Sequence, residues 1–191
     1  ITPLLVFDYQ WDEKVYIDDC VLHRDTNSKD SFTLSNKFIE PNTENIVSDP
    51  SSITVYVNQK NNLPAEYAPE DLQTIDLQYA SQGVQLRAEA AKNFEALSAA
   101  SIQNKVPFFA STGYVSYQAL KDIYSSYNAD VANLYADVPG QSEQQTGYAA
   151  DVSPTYEGGA FSQTNTYQWL KENAAEYGFI LRYPISKAAI T

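Results

Sequence analysis

Apolar residues return at helical spacing three times along this chain. Over about 84–100, Leu86, Ala90, Phe94 and Leu97 share one face; over about 116–136, Leu120, Ile123, Tyr127, Val131 and Leu134 do the same. A third stretch, about 166–177, opens with Asn165 and Gln168 at capping-box spacing and closes at Gly178. Its inward stripe is Trp169, Leu170, Asn173 and Tyr177, with Asn173 the odd polar member. Stripes of this kind predict core packing rather than cofactor contact.

Strand-like text fills much of the remainder. LLVFDYQW (4–11), KVYIDDCVLH (14–23), SFTL (31–34) and ITVYV (53–57) are rich in β-branched and aromatic residues. VPFFAST (106–112), GYAADV (147–152) and YGFILRYP (177–184) are further strand candidates around the helices. PNTENIVSDPSS (41–52) mixes Pro, Asn, Asp and Ser without period and reads as loop or linker. No repeated strand–helix–strand unit and no glycine-rich phosphate loop is present. The expected class is therefore α+β, a small antiparallel sheet with about three helices, preceded by an extra β-rich N-terminal segment. The chain divides into residues 1–52, a β-rich segment or small subdomain, and 53–191, the main domain.

Composition narrows the function classes. At 43% hydrophobic and 19% charged over 191 residues, the chain can bury a real core. Its 15 tyrosines are read mainly as packing residues. Twelve Lys+Arg against 24 Asp+Glu leave a net charge of −12, which argues against a nucleic-acid partner and against docking on anionic lipid. No apolar run approaches the ~20 residues that span a bilayer, so no membrane insertion is expected within this chain. The single cysteine, Cys20, excludes an internal disulfide and a cysteine-based zinc motif, and is read as a small buried hydrophobe. The single histidine, His23, lies in the β-rich N-terminal part. There is no methionine and no signal peptide, so a mature or trimmed piece is expected.

Four blocks carry recognisable patterns: VNQKNNLPAEYAPEDL (57–72), STGYVSYQAL (111–120), PGQSEQQTGYAAD (139–151) and WLKENAAEYGFILRYP (169–184). In order and spacing they resemble the VanY-type D-alanyl-D-alanine carboxypeptidases, the M15 metallopeptidases, over about seven-tenths of the chain. The resemblance implies a hedgehog/DD-peptidase-like fold and a zinc ion. In that family the third block runs P-G-x-S-E-H-Q-T-G-x-A-x-D, and its His and Asp hold the metal. Here the Asp is kept as Asp151, but Gln144 stands at the His position. The second block is S-G-Y-R-S-Y in the family, and its arginine holds a peptide carboxylate bidentately. Here that position is Val115. The family's second His and its Glu base come from a later E-P-W-H segment, which this sequence does not reach.

The resemblance implies substrate-groove positions at Ser111, Tyr114, Val115, Ser116, Ser142 and Glu143, with Asp151 a vestigial metal ligand beside Gln144 and no catalytic set intact. Zinc sites are built from imidazole, thiolate and carboxylate, and a glutamine amide is a poor substitute. Asp151 is expected to hydrogen-bond backbone or tyrosine hydroxyl groups. A Ca²⁺ or Mg²⁺ site from Asp151, Glu143 and loop carbonyls is the lesser alternative. Ser142 has no neighbouring His to activate it. Gly140 and Gly147 are expected to supply turn geometry, Gly158-Gly159 a flexible loop, and Arg182 a structural ion pair.

The expectation is a zinc-free, catalytically inactive domain needing no cofactor, with a peptidoglycan stem peptide or another cell-envelope protein as its partner. Its place would be extracytoplasmic, in the envelope of or secreted by a bacterium, of Gram-positive type. The alternative is an active zinc D,D-carboxypeptidase that trims stem peptides with its remaining ligands beyond residue 191. A third reading makes the N-terminal β portion the working part. With valine at 115, a peptide carboxylate loses a charge-assisted contact worth roughly 1.5–3 kcal/mol.

Overall fold

The structure is a computed structural model that describes residues 4–7, 45–127, 132, 136–155, 157 and 160–182. Among the described residues there are six strands, β1 (Leu4–Phe7), β2 (Leu72–Thr74), β3 (Gln85–Arg87), β4 (Phe108–Thr112), β5 (Ala150–Pro154) and β6 (Ile180–Leu181), and three full α-helices. The helices are α1 (Ala88–Gln103), α2 (Tyr117–Ser126) and α3 (Asn165–Asn173). The fold is α+β, as expected. The main sheet runs β4-β5-β1-β6, and β2 and β3 form a separate two-stranded sheet. The β4–β5 and β2–β3 pairs are antiparallel, while β1 lies parallel to both β5 and β6. Leu4–Phe7 is thereby joined to the same sheet as the motif-bearing strand β5. The strand candidates at 14–23 and 31–34, together with Cys20, His23 and Gly158-Gly159, lie outside the described residues.

The core forms where α1 lies on the sheet. Ala90, Ala91, Phe94 and Leu97 are buried along its inner face. Phe94 meets Phe108 of β4 at 5.7 Å and Phe179 at 6.0 Å between ring centroids, both edge to face, the geometry that aromatic quadrupoles favour. Leu86, Ala110, Ala150, Val152 and Leu170 belong to the same cluster, with Trp169 and Tyr177 packed on its margin.

Several boundaries differ from those the periodicity predicts. The first helix starts at Ala88, because Gln85–Arg87 pair with β2 and the Arg87 N–H donates to the Gly147 carbonyl at 2.9 Å. Leu86 is fully buried from a strand instead of a helix. The second helix stops at Ser126, and Tyr127 is already extended. Its buried stripe is Leu120 and Tyr124; Ile123 and Tyr127 are exposed, and Val131 and Leu134 lie outside the described residues. Ser125, Ser126 and Tyr127 are indifferent helix formers, so little favours continuation.

At the third helix the cap is Thr164, whose hydroxyl accepts the Tyr167 N–H at 3.0 Å. The Glu157 carboxylate takes the next two N–H groups, of Asn165 and Thr166, so the expected Asn165–Gln168 box is not used. Asn173 turns its amide back onto the Trp169 carbonyl at 2.7 Å, which satisfies the polar member of the stripe. The helix tightens into a 3₁₀ turn over Ala174–Tyr177 and ends at Gly178. Residues 53–57 are a turn at 53–54 followed by irregular chain, not a strand. Asp49 and Ser52 side chains capture the N–H groups of Ser51 and Thr54, a local alternative that outcompetes sheet pairing.

Phe94→Ala should lower the unfolding free energy by about 3–5 kcal/mol, because it empties the space shared by three rings. Urea denaturation followed by circular dichroism measures it, and a loss under about 1 kcal/mol would show that the aromatic cluster is not the core's centre.

Candidate functional site

The third motif block folds into a turn locked from three sides. Gly140 and Gly147 sit at φ 86° and 73°, conformations that favour glycine, and at Gly147 a Cβ would lie 2.9 Å from Arg87 Cγ. Gln145 is fully buried; its Oε1 accepts the Gly140 N–H at 3.1 Å and its Nε2 donates to the Pro64 carbonyl at 3.2 Å. The Leu63 N–H reaches the Gly140 carbonyl at 2.7 Å, so the first motif block is tied to the third. Glu143–Thr146 form a 3₁₀ turn capped by Ser142, whose hydroxyl accepts the Gln144 N–H and donates to Asp137. Ser142 is thus a structural cap.

Glu143 points the other way. It is 8% exposed and receives Arg182 Nε on both carboxylate oxygens, at 2.7 and 2.9 Å. Burial pushes the Glu143 carboxyl above its ordinary pKa, Arg182 pulls it back, and nearby Asp137 raises it further. Arg182 makes the structural ion pair that the sequence predicts. A Ca²⁺ or Mg²⁺ site that used Glu143 would have to take its carboxylate from Arg182.

Gln144 turns toward the sheet. Pairing of β4 with β5 slips by one residue between Ala110 and Thr112, so Ser111 is bulged and Thr112 stands opposite Asp151. Ser111 donates weakly to the Asp151 backbone carbonyl at 3.3 Å. Alternation along β5 buries Ala150 and Val152 and leaves Asp151 half-buried on the opposite face. There the Thr112 hydroxyl donates to Asp151 Oδ2 at 2.6 Å, Gln144 Nε2 donates to the same oxygen at 2.8 Å, and Gln144 Nε2 reaches Thr112 Oγ1 at 3.0 Å. Asp151 therefore counts a threonine hydroxyl and a glutamine amide among its partners. Thr112 was not among the predicted site residues.

The Val115 N–H approaches the Gln144 carbonyl at 3.4 Å, and the Tyr114 N–H bonds the Gln85 carbonyl at 2.7 Å. Burial raises the Tyr114 phenol above its ordinary pKa. Ser116 caps α2 by accepting the Ala119 N–H at 3.2 Å.

The donor set does not fit zinc. Asp151 is one carboxylate, and the neighbour at the expected imidazole position directs an N–H, not a lone pair, toward it. Among the described residues no three His, Cys, Asp or Glu converge on one point.

The profile of the VanY D-alanyl-D-alanine carboxypeptidases matches residues 83–191, and this chain belongs to that family. It is 34% identical over 157 residues to the Bacillus subtilis (strain 168) protein YodJ, a match covering 76% of this chain and 58% of that relative. The chain thus spans less than two thirds of the curated relative's length. The solved LdcB LD-carboxypeptidase superposes with a TM-score of 0.69 at 32% identity, covering 76% of this chain and 74% of that one. A vancomycin-resistance VanY D,D-pentapeptidase variant solved with Zn(II) aligns with TM-score 0.57 at 27% identity over 72% and 80% of the two chains. VanYB in complex with D-Ala-D-Ala aligns equally well, TM-score 0.57 at 27% identity over 71% and 78%.

Arg182→Met should cost about 2–3 kcal/mol of stability: removal of one partner from a buried pair costs ~3–5, discounted here for the partly exposed guanidinium. Chemical denaturation of both proteins checks it, and an unchanged midpoint would show that Glu143 is adequately solvated without its partner.

Proposed function

We propose that this domain is a zinc-free, non-catalytic member of the VanY family that recognises a peptidoglycan stem peptide, or another envelope protein, outside the cytoplasm. The single observation that carries the reading is the Gln144 Nε2 to Asp151 Oδ2 hydrogen bond at 2.8 Å. A VanY relative was solved in complex with Zn(II), whereas this chain sets an amide hydrogen against the Asp151 carboxylate. A water-activating zinc site needs three ligands and an open position, and an amide nitrogen whose lone pair is delocalised supplies none of them. Val115 supports the same reading, since an isopropyl group cannot pair with a peptide carboxylate. The solved complex of VanYB with D-Ala-D-Ala suggests the ligand class. Among the described residues no helix is long and apolar enough to cross a membrane.

On this reading the groove positions Ser111, Tyr114, Val115 and Ser116 orient a peptide, and the turn bearing Ser142 and Glu143 shapes the wall beside it. On it no bond is broken, because among the described residues no group is placed to generate or deliver a nucleophile. The purified full-length protein should hold no stoichiometric zinc by elemental analysis, and should release no D-alanine from a D-Ala-D-Ala-terminated peptide. One zinc per chain together with chelator-sensitive release would instead establish the active carboxypeptidase.

A further inference from the structure

We infer that Gln144 reads a primary carboxamide on the bound ligand and discriminates against a carboxylate. This rests on the preceding reading, that the domain holds peptide without zinc, and adds to it the chemical group selected. The argument begins with hydrogen positions. Thr112 Oγ1 and Asp151 Oδ2 lie only 2.6 Å apart, while Gln144 Nε2 stands 3.0 and 2.8 Å from them. Two acceptors so close together subtend a far narrower angle at Nε2 than the two hydrogens of a planar amide. One amide hydrogen is therefore shared between them, and the other is directed elsewhere.

Electrostatics selects which hydrogen is shared. Inverting the amide would set Oε1 against the Asp151 carboxylate, acceptor against acceptor. Using the hydrogen on the same side as Oε1 would bring that oxygen close to the carboxylate again. The hydrogen on the far side from Oε1 is the favoured donor. What remains is the opposite edge of the amide, one N–H and one C=O side by side. Neither Oε1 nor the second hydrogen has a partner among the described residues, and Gln144 is only half-buried, so this edge is accessible. The Thr112 hydroxyl hydrogen is committed to Asp151, which leaves the Gln144 edge as the cluster's outward donor.

An edge with one donor and one acceptor is matched by a group with the same pair reversed, as when an amide side chain reads adenine bidentately. A primary carboxamide has that pair. A carboxylate has two acceptors, and one of them would face Oε1. Val115, whose backbone reaches Gln144, brings no charge that would compensate.

The test titrates the full-length protein by calorimetry with three peptides. These are N-acetyl-Lys-D-Ala-D-Ala with a free terminal carboxylate, the same peptide with a terminal carboxamide, and N-acetyl-Gln-Lys-D-Ala-D-Ala, which has an upstream carboxamide and a free terminus. A carboxamide peptide should bind at least tenfold tighter than the first, and whichever of the two does so identifies terminal or side-chain amidation as the source. Gln144→Met should abolish the preference. In case that variant unfolds, the Gln144 side-chain NH₂ resonances of the unaltered protein, assigned by NMR, should both shift on adding the preferred peptide. Equal or tighter binding of the free carboxylate, or unmoved amide resonances at saturation, would overturn the inference and leave the zinc-free reading standing. Failure of all three peptides to bind would overturn both the inference and the peptide-binding role, whereas bound zinc would overturn the reading itself.

Discussion

A carboxylate drawn half-way out of water must be matched by something, and the identity of that partner decides what this domain can do. At Asp151 the partners include one hydroxyl and one amide, both converging on Oδ2. Hydrogen bonds to an ionised group are each worth roughly 1.5–3 kcal/mol, so the arrangement resists displacement. It also joins three pieces of chain, β4 through Thr112, β5 through Asp151 and the 3₁₀ turn through Gln144. A metal ion would provide the same cross-link by coordination. Here Thr112 and Gln144 provide a cross-link with neutral donors.

The scaffold beneath is independent of that exchange. The turn is held by the buried amide of Gln145, by the positive-φ glycines and by the Glu143–Arg182 pair, bonds distinct from those that converge on Asp151 Oδ2. The aromatic contacts of Phe94 fix α1 on the sheet from the opposite side. Because the turn and the core are held by these other side chains, substitution at 144 and 115 can change chemistry and leave architecture intact. That separation explains how the chain keeps a TM-score of 0.69 to an LD-carboxypeptidase while its own donor set departs from zinc coordination.

How much of this the sequence discloses depends on the range of the interaction. The helix faces around Phe94 and Leu170 are legible because 3.6-residue periodicity is local. Arg182 as an ion-pair former, Gly140 and Gly147 as turn residues, and the misfit at Gln144 follow from motif blocks whose side chains stay in sequence order. Thr112 escaped because its approach to Asp151 depends on a one-residue bulge at Ser111, and register between distant strands leaves no periodic trace. The β2–β3 pair was missed because three-residue strands are too short to show alternation. ITVYV misleads for the opposite reason, since strong strand propensity at 53–57 is overridden by side-chain capture of the Ser51 and Thr54 N–H groups. Parallel pairing of Leu4–Phe7 with β5 and β6 joins segments far apart in the chain, which no window of sequence reports.

The central claim, that an amide donor and not an ion matches the Asp151 carboxylate, is tested most directly by diffraction at the zinc absorption edge from crystals grown in millimolar zinc. The account predicts no anomalous peak within coordination distance, ~2.0–2.2 Å, of the Asp151 oxygens, with the Gln144 amide still in contact with Oδ2. A peak at that distance, with Gln144 swung aside or bound through Oε1, would contradict it.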